Sequence, residues 1–273
     1  MQVPSKTFLL GEYLAMQGGP AILALTSPCF SFNPNQRLHP DCMAARLWRD
    51  YKGSDCDWGL ADPYNGKGGL GASSAEFVIA YQQIFPKTQQ NHIHLREIFL
   101  KYVDKSAQHQ PSGYDVMAQT HQGLLWIQET QIESLSWTFN DLGFVLVHTG
   151  QKLKTHEHLL NGQWTLDFER LSQNVRQATQ ALKTQNEDLF IQSIQDFHQG
   201  ICQAHLLAPH ALALLNQLQA SLPILAAKGC GAMGADVLLL VIKTYNMPKV
   251  MEYLQQEKLD ILATQAQLYF EKA

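Results

Sequence analysis

Two short runs of β-favouring residues, 7–10 and 22–25, stand on either side of a Gly18-Gly19-Pro20 break, a pattern that predicts strand, turn, strand. From 27 to 67, prolines at positions 28, 34, 40 and 63 and scattered Gly, Asn and Asp residues break any hydrophobic period, and the segment reads as irregular chain with short strands at best. A glycine cluster at 68–71 then runs straight into an apolar, helix-like stretch ending near 85, and a second helix is expected over 92–107. Segments 123–130, 135–139 and 143–149 carry the composition of strands.

The period changes in the second half. Leu171, Val175, Ala178 and Leu182 recur at steps of 4, 3 and 4, and Leu189, Ile194, Phe197 and Ile201 keep nearly the same rhythm, so two amphipathic helices are expected. A third follows over 209–220, then strand at 223–227, a glycine-containing turn, strand at 236–243 and helix at 248–257. No repeat, low-complexity tract or long linker intervenes. A boundary near 150–163 divides the chain into lobes 1–155 and 156–273, each α+β.

Composition narrows the function classes. Of 273 residues only 16% are charged, against a usual quarter or so, and 29 glutamines supply much of the polar surface. The longest apolar run, 237–242, is six residues, far short of the ~20 that a spanning helix needs, so no membrane role is expected. A net charge of -4 argues against a broad basic face for nucleic acid and favours a small-molecule partner. Five cysteines, odd in number, scattered and never paired as CxxC, suit neither a disulfide framework nor a zinc site. With no secretory pattern in the opening residues, a cytoplasmic monomer or homodimer is the expectation.

The segment Gly68-Gly69-Leu70-Gly71-Ala72-Ser73-Ser74-Ala75-Glu76 is the most informative. A glycine loop opening onto a helix aims free backbone N–H groups and the positive end of the helix dipole at one spot, which favours phosphate. The same string is also a capping box, Ser73-x-x-Glu76, which needs no ligand. Other residues carry similar pairs of readings. Lys6 and Glu12 could form a surface ion pair, Asp115 could be the N-terminal residue of a helix following Ser112-Gly113, and Asp104 could be solvated on a polar face. His92-Ile93-His94 and His156-Glu157-His158 suggest a metal only on a strand, since rings at i and i+2 of a helix point apart.

Taken together the segments resemble the motifs of the GHMP kinase superfamily, in the family's order. Val3-Pro4-Ser5-Lys6-Thr7-Phe8-Leu9-Leu10-Gly11-Glu12-Tyr13 with Gly18-Gly19-Pro20-Ala21-Ile22 resembles the first motif, and the glycine loop the second. Pro111-Ser112-Gly113-Tyr114-Asp115-Val116, followed by Gly123, is similar to the family's Ser-Gly-x-Asp segment. Lys228-Gly229-Cys230-Gly231-Ala232-Met233-Gly234-Ala235-Asp236 is similar to the third, glycine-rich motif, and 143–158, with Thr149-Gly150 and Thr155, also fits. The closest branch is that of mevalonate kinase and phosphomevalonate kinase. Pro111-Ser112-Gly113 looks like the former, while Asp115-Val116 and Asp236 look more like the latter; the diphosphomevalonate decarboxylases are less similar at the third motif.

The resemblance implies a two-lobed α+β GHMP kinase fold, with a ribosomal-protein S5-like N-terminal lobe and a ferredoxin-like C-terminal lobe, using ATP and Mg2+. It implies catalytic roles for Lys6, beside the phosphoryl acceptor, and for Asp115. Gly69, Gly71, Ala72, Ser73 and Ser74 would hold the nucleotide phosphates. Ser73 would also contact magnesium, and Asp104, eleven residues before Asp115, occupies the place of a magnesium-binding glutamate. Glu12, Ser112, Gly113, Gly231, Ala232 and Gly234 would lie on the substrate side or in the third-motif loop. The sequence departs from the pattern at Ser5, Met233 and Ala235, which stand at glycine positions, and at Ala72, which replaces the first of two serines. The gap between the first two motifs, which contributes the adenine pocket in the family, is shorter than in most relatives. These departures motivate a second expectation: a catalytically weak homologue that binds nucleotide or metabolite, or serves as an assembly subunit.

Overall fold

The computed structural model describes residues 1–105, 110–151, 166–231 and 235–271. Two antiparallel sheets organise it. The first holds β1 (Gln2–Leu10), β2 (Ala21–Asn33), β4 (Leu124–Gln128) and β5 (Gln131–Leu135) in that order, with β3 (Gly59–Ala61) also pairing with β2. The second has the order β7-β8-β6-β9, from β6 (Leu142–His148), β7 (Ile224–Cys230), β8 (Val237–Lys243) and β9 (Ile261–Thr264). The six-residue apolar run of the sequence is most of β8, a central strand buried throughout that run, which is why it shows no alternation. The change of sheet falls between β5 and β6, ahead of residue 155.

Helices α1 (Met43–Lys52), α2 (Ala72–Ile84), α3 (His92–Tyr102) and α4 (Tyr114–Ala118) accompany the first sheet. α5 (Phe168–Thr184), α6 (Glu187–Gln203), α7 (Pro209–Ser221) and α8 (Met247–Gln256) accompany the second. The periodic residues Leu171, Val175, Ala178 and Leu182 of α5 and Ile194, Phe197 and Ile201 of α6 are all buried where the two helices pack together. α2 is buried nearly all round, from Ser74 to Tyr81 with only Glu76 partly exposed, so it serves as the central helix of the first half.

Several elements differ from the sequence pattern, among them β9, which was not expected, and α3, which stops at Tyr102 short of 107. β2 runs on to Asn33, because Pro28 sits in a bulge between the Phe30–Val3 and Thr26–Ser5 pairs and its missing N–H breaks no ladder bond. α1 forms within the segment expected to be irregular: Cys42 caps it by accepting from Ala45 N–H, and its buried stripe, Ala44, Ala45 and Leu47, is too small to signal a helix. β5 begins and ends earlier than expected, because a tight turn at Glu129-Thr130 pairs Gln128 with Gln131.

The larger apolar cluster, reaching from Val3 to Ala263, underlies both sheets, and a second, separate one packs α4 on the first sheet through Phe8, Leu23, Leu125, Tyr114 and Met117. Polar contacts also cross between the halves. The Tyr13 hydroxyl donates to Leu206 O at 2.8 Å, and the C-terminal segment returns to the first sheet, with Tyr269 N–H donating to Leu25 O and Gly123 N–H to Tyr269 O. Among the described residues no helix is long and apolar enough to cross a membrane.

Candidate active site

Lys6 is the point where the first two motifs and the Ser-Gly-x-Asp segment converge. It lies on a strand that is buried from Val3 to Leu10, and its ammonium stands 3.1 Å from Asp115 Oδ2, the lysine side chain 8% exposed and the aspartate 37%. Its backbone N–H donates to Leu70 O of the glycine loop. Gly71, at φ +86°, presses on the same side chain: a Cβ there would come within 2.9 Å of Lys6 Cγ and 3.0 Å of Lys6 Cε. Only glycine accepts both that backbone conformation and that approach.

Asp115 occupies the first turn of α4, which begins at Gly113 in the left-handed region. The preceding turn is held by Ser112, whose Oγ accepts from Tyr114 N–H and whose carbonyl accepts from Arg96 Nε. Asp115 is therefore a helix-terminal residue, and it stands beside Lys6. Gln119, four residues on and thus on the same face of α4, donates to Pro4 O at 2.9 Å and Gly71 O at 3.1 Å. It ties β1, the glycine loop and α4 together. Its spacing from Asp115 was the only sequence signal for it.

The capping box is not formed. The N-cap of α2 is Gly71, without a side-chain cap; Ser74 Oγ donates to Gly71 O, and Ser73 is exposed. Glu76, partly exposed, turns instead toward Cys42, where partial burial raises its carboxyl to about 7 despite the cysteine's hydrogen bond. The first intrahelical bond of α2 is Ala75 N–H to Gly71 O, so the amides of Ala72, Ser73 and Ser74 precede the ladder. With no acidic residue in its first turn, this end of α2 presents donors and positive dipole to an anion.

Glu12 and Lys6 do not form a surface pair. Glu12 is buried and stands 2.9 Å from Lys228 Nζ, itself 1% exposed on β7. Burial raises the Glu12 carboxyl against the pull of Lys228. Burial opposes the charge on Lys228, but Cys230 and Glu12 outweigh it and its pKa lies above the usual lysine value. Burial likewise lifts the Cys230 thiol, to about 11, against the pull of Lys228.

Gly231 follows β7 with φ +80°, while Ala232, Met233 and Gly234 lie outside the described residues. Ala235 is buried, and its carbonyl accepts from Thr149 Oγ1 and pairs with His210 Nε2. Asp236 abuts the glycine loop, since a Cβ on Gly68 would meet its Oδ2 at 2.4 Å. Beside it, Lys67 pairs with Asp260 at 3.2 Å, and burial lowers the pKa of His148, whose Nδ1 accepts from Gly150 N–H.

Asp104 is exposed after α3, its carbonyl receiving the Gln110 side chain. Among the described residues no group of three or more His, Cys, Asp or Glu is arranged to hold a metal ion. His92 and His94 are separately engaged, His92 with Thr130 O and His94 with the Tyr81 hydroxyl. Thr155, His156 and His158 lie outside the described residues.

The chain matches no sequence-family model and no curated protein sequence. Its fold does match solved structures along its length. It is similar to the Methanococcus jannaschii mevalonate kinase, with 17% identity over 99% of this chain and 98% of that one and a TM-score of 0.74. Streptococcus pneumoniae phosphomevalonate kinase in complex with phosphomevalonate and AMPPNP aligns with a TM-score of 0.76 at 13% identity, covering 97% and 98%. Lactococcus lactis galactokinase complexed with galactose aligns at 0.64 and 10% identity, covering 95% and 92%. The fold is thus the one shared by mevalonate and phosphomevalonate kinases, the branch that the motifs resemble.

Proposed function

We propose that this chain is an ATP-dependent small-molecule kinase of the GHMP type, transferring the γ-phosphoryl group to mevalonate or phosphomevalonate. The observation that carries the proposal is the Lys6–Asp115 pair directly beneath Gly71, where α2 presents its uncapped amides. Fold likeness to kinases supports phosphoryl transfer, and the motifs supply the mevalonate branch.

The chemistry of this site suits a triphosphate. The amides of Ala72, Ser73 and Ser74, preceded by Gly69 and Gly71, would accept phosphate oxygens. Magnesium, when bound, would neutralise phosphate charge; the exposed Ser73 hydroxyl fits an ion held largely by phosphates and water, with Asp104 the weaker second candidate. For a hydroxyl acceptor, Asp115 takes the proton as the acceptor oxygen bonds to the γ-phosphorus and the bridging oxygen leaves with ADP. Lys6, 3.1 Å away, holds the Asp115 carboxyl in place and would stabilise charge on the moving group. For a phosphate acceptor no base is needed, and Asp115 positions Lys6. Glu12, Ser112 and Gly113 would line the acceptor side, and Gly231, Ala232 and Gly234 the third-motif loop.

On this reading the first sheet belongs to an S5-like lobe and the second to a ferredoxin-like lobe, the division falling between β5 and β6, ahead of the 155/156 boundary expected from the sequence, in a cytoplasmic monomer or homodimer. Burial of Ala235 in the core supports activity over the catalytically weak alternative, since that side chain is withdrawn from the loop. The test is ADP release from ATP and magnesium with mevalonate, phosphomevalonate, diphosphomevalonate, galactose and homoserine offered separately. Turnover with one acceptor, abolished in Lys6→Ala, is the expected result. ATP binding with no turnover on any acceptor would favour the weak homologue.

A further inference from the structure

Glu12 carries a feature that its ion pair does not explain. The carboxylate is almost wholly enclosed, and neither oxygen has a well-directed hydrogen bond to a described residue: Oε1 has its ion-pair contact with Lys228, whereas Oε2 lacks even that. A buried carboxylate oxygen without a donor is costly, and such an atom is retained where a donor arrives later or where the geometry is otherwise fixed. Two ammonium groups act on Glu12: Lys228 at 2.9 Å, and Lys6, whose charge also favours the ionised form. Lys228 is held in turn by Cys230 Sγ at 3.7 Å and by the Phe197 ring, 5.6 Å from its nitrogen. Lys228 opens the third motif near the end of its strand, β7, whereas Glu12 follows β1, the strand that carries Lys6.

We propose that Lys228 is a positioning residue for the phosphoryl acceptor, holding Glu12 by Oε1 across the two halves so that Oε2 remains oriented to receive a hydrogen bond from the acceptor. The inference rests on the kinase reading above. Lys228 acts only through Glu12 and touches no reacting atom. Its removal would leave Glu12 buried without its counter-ion, so the carboxyl would protonate at a higher pH and lose its orientation. The consequence is specific to the acceptor: the phosphate-binding end of α2 contacts Lys6 and Gln119, not Lys228.

The experiment uses full-length protein with the acceptor that wild type turns over, comparing Lys228→Met, Lys228→Arg, Glu12→Gln and the double variant Glu12→Gln/Lys228→Met. Lys228→Met should raise the acceptor KM at least about tenfold with the ATP KM unchanged, and should move the acidic limb of kcat/KM to higher pH. Lys228→Arg should restore part of both. The double variant buries no unpaired charge, so it folds even where Lys228→Met does not, and it should match Glu12→Gln alone within about twofold. A double variant much worse than Glu12→Gln overturns the proposal, as does a folded Lys228→Met with wild-type acceptor KM and pH profile. If wild type turns over no acceptor, the kinase reading itself fails and the proposal falls with it, an outcome distinct from a wild-type enzyme indifferent to Lys228.

Discussion

The Tyr64 hydroxyl meets Ser5 Oγ at 3.0 Å, joining the approach to the glycine loop to the strand that carries Lys6. The phenol is shared with Pro28 O at 2.8 Å, and Ser5 also bonds Thr26 O. Ser5 stands where the resembling family has glycine, so its hydroxyl is a local substitute for close backbone packing: the fully buried serine is satisfied by Tyr64 and Thr26. Tyr64→Phe should therefore cost about 1 kcal/mol of stability. In a cycle with Ser5→Ala, the double variant should be less destabilised than the sum of the single losses. Urea midpoints of the four proteins measure this, and strict additivity would show that the two hydroxyls are independent.

Gly71 gives the second prediction. Alanine there must hold φ +86° and place its methyl against Lys6, for a cost of about 1–2 kcal/mol from the backbone alone. Because Lys6 is the side chain that must yield, Gly71→Ala should lower turnover far more than it lowers stability. Parallel denaturation and initial-rate measurements check the disproportion, and equal, mild effects would place Lys6 outside the reaction.

Much of the site was legible because its chemistry requires local signatures. A glycine loop entering a helix and an aspartate in the turn after Ser-Gly are written in consecutive residues, and the structure places both at Lys6. The amphipathic helices α5 and α6 were legible for the same reason, as their burial follows one period. What was not legible depends on distant partners. Lys6 and Glu12 are six positions apart and could pair, but Asp115 and Lys228 take one each, and no local pattern announces either choice. Gln119 is similar: its two acceptors come from segments far away in sequence. The Ser73–Glu76 box was misread because tertiary burial drew Glu76 toward Cys42, leaving the helix end open.

Asp115→Asn tests the proton path. The amide preserves shape and can still contact Lys6, so folding should be unchanged, whereas transfer to a hydroxyl acceptor should slow by about 10²–10⁴-fold. With a phosphate acceptor the loss should be much smaller, because no proton need be taken. Comparing the variant on whichever acceptor supports turnover thus separates base from positioning residue. Near-normal rates on a hydroxyl acceptor would remove Asp115 from the catalytic list.

Glu76 yields a pH dependence that concerns stability and not catalysis. Burial raises its carboxyl from the ordinary 4.5 to about 7 in the folded chain. Between those values the native state binds a proton that the unfolded chain has released, so this group's contribution is full below about 4.5 and is lost as pH rises through 7. The buried Glu12 carboxyl, also raised, slopes the same way, which makes the difference between variants the useful quantity. Glu76→Gln, which cannot ionise, should gain stability relative to wild type as pH increases from 5 to 8, an interval in the same direction as the shift toward about 7. Denaturant midpoints across that interval measure the gain. A constant difference between the two proteins would mean that Glu76 titrates alike in the folded and unfolded chain, and that its place beside Cys42 is more open to water than the burial implies.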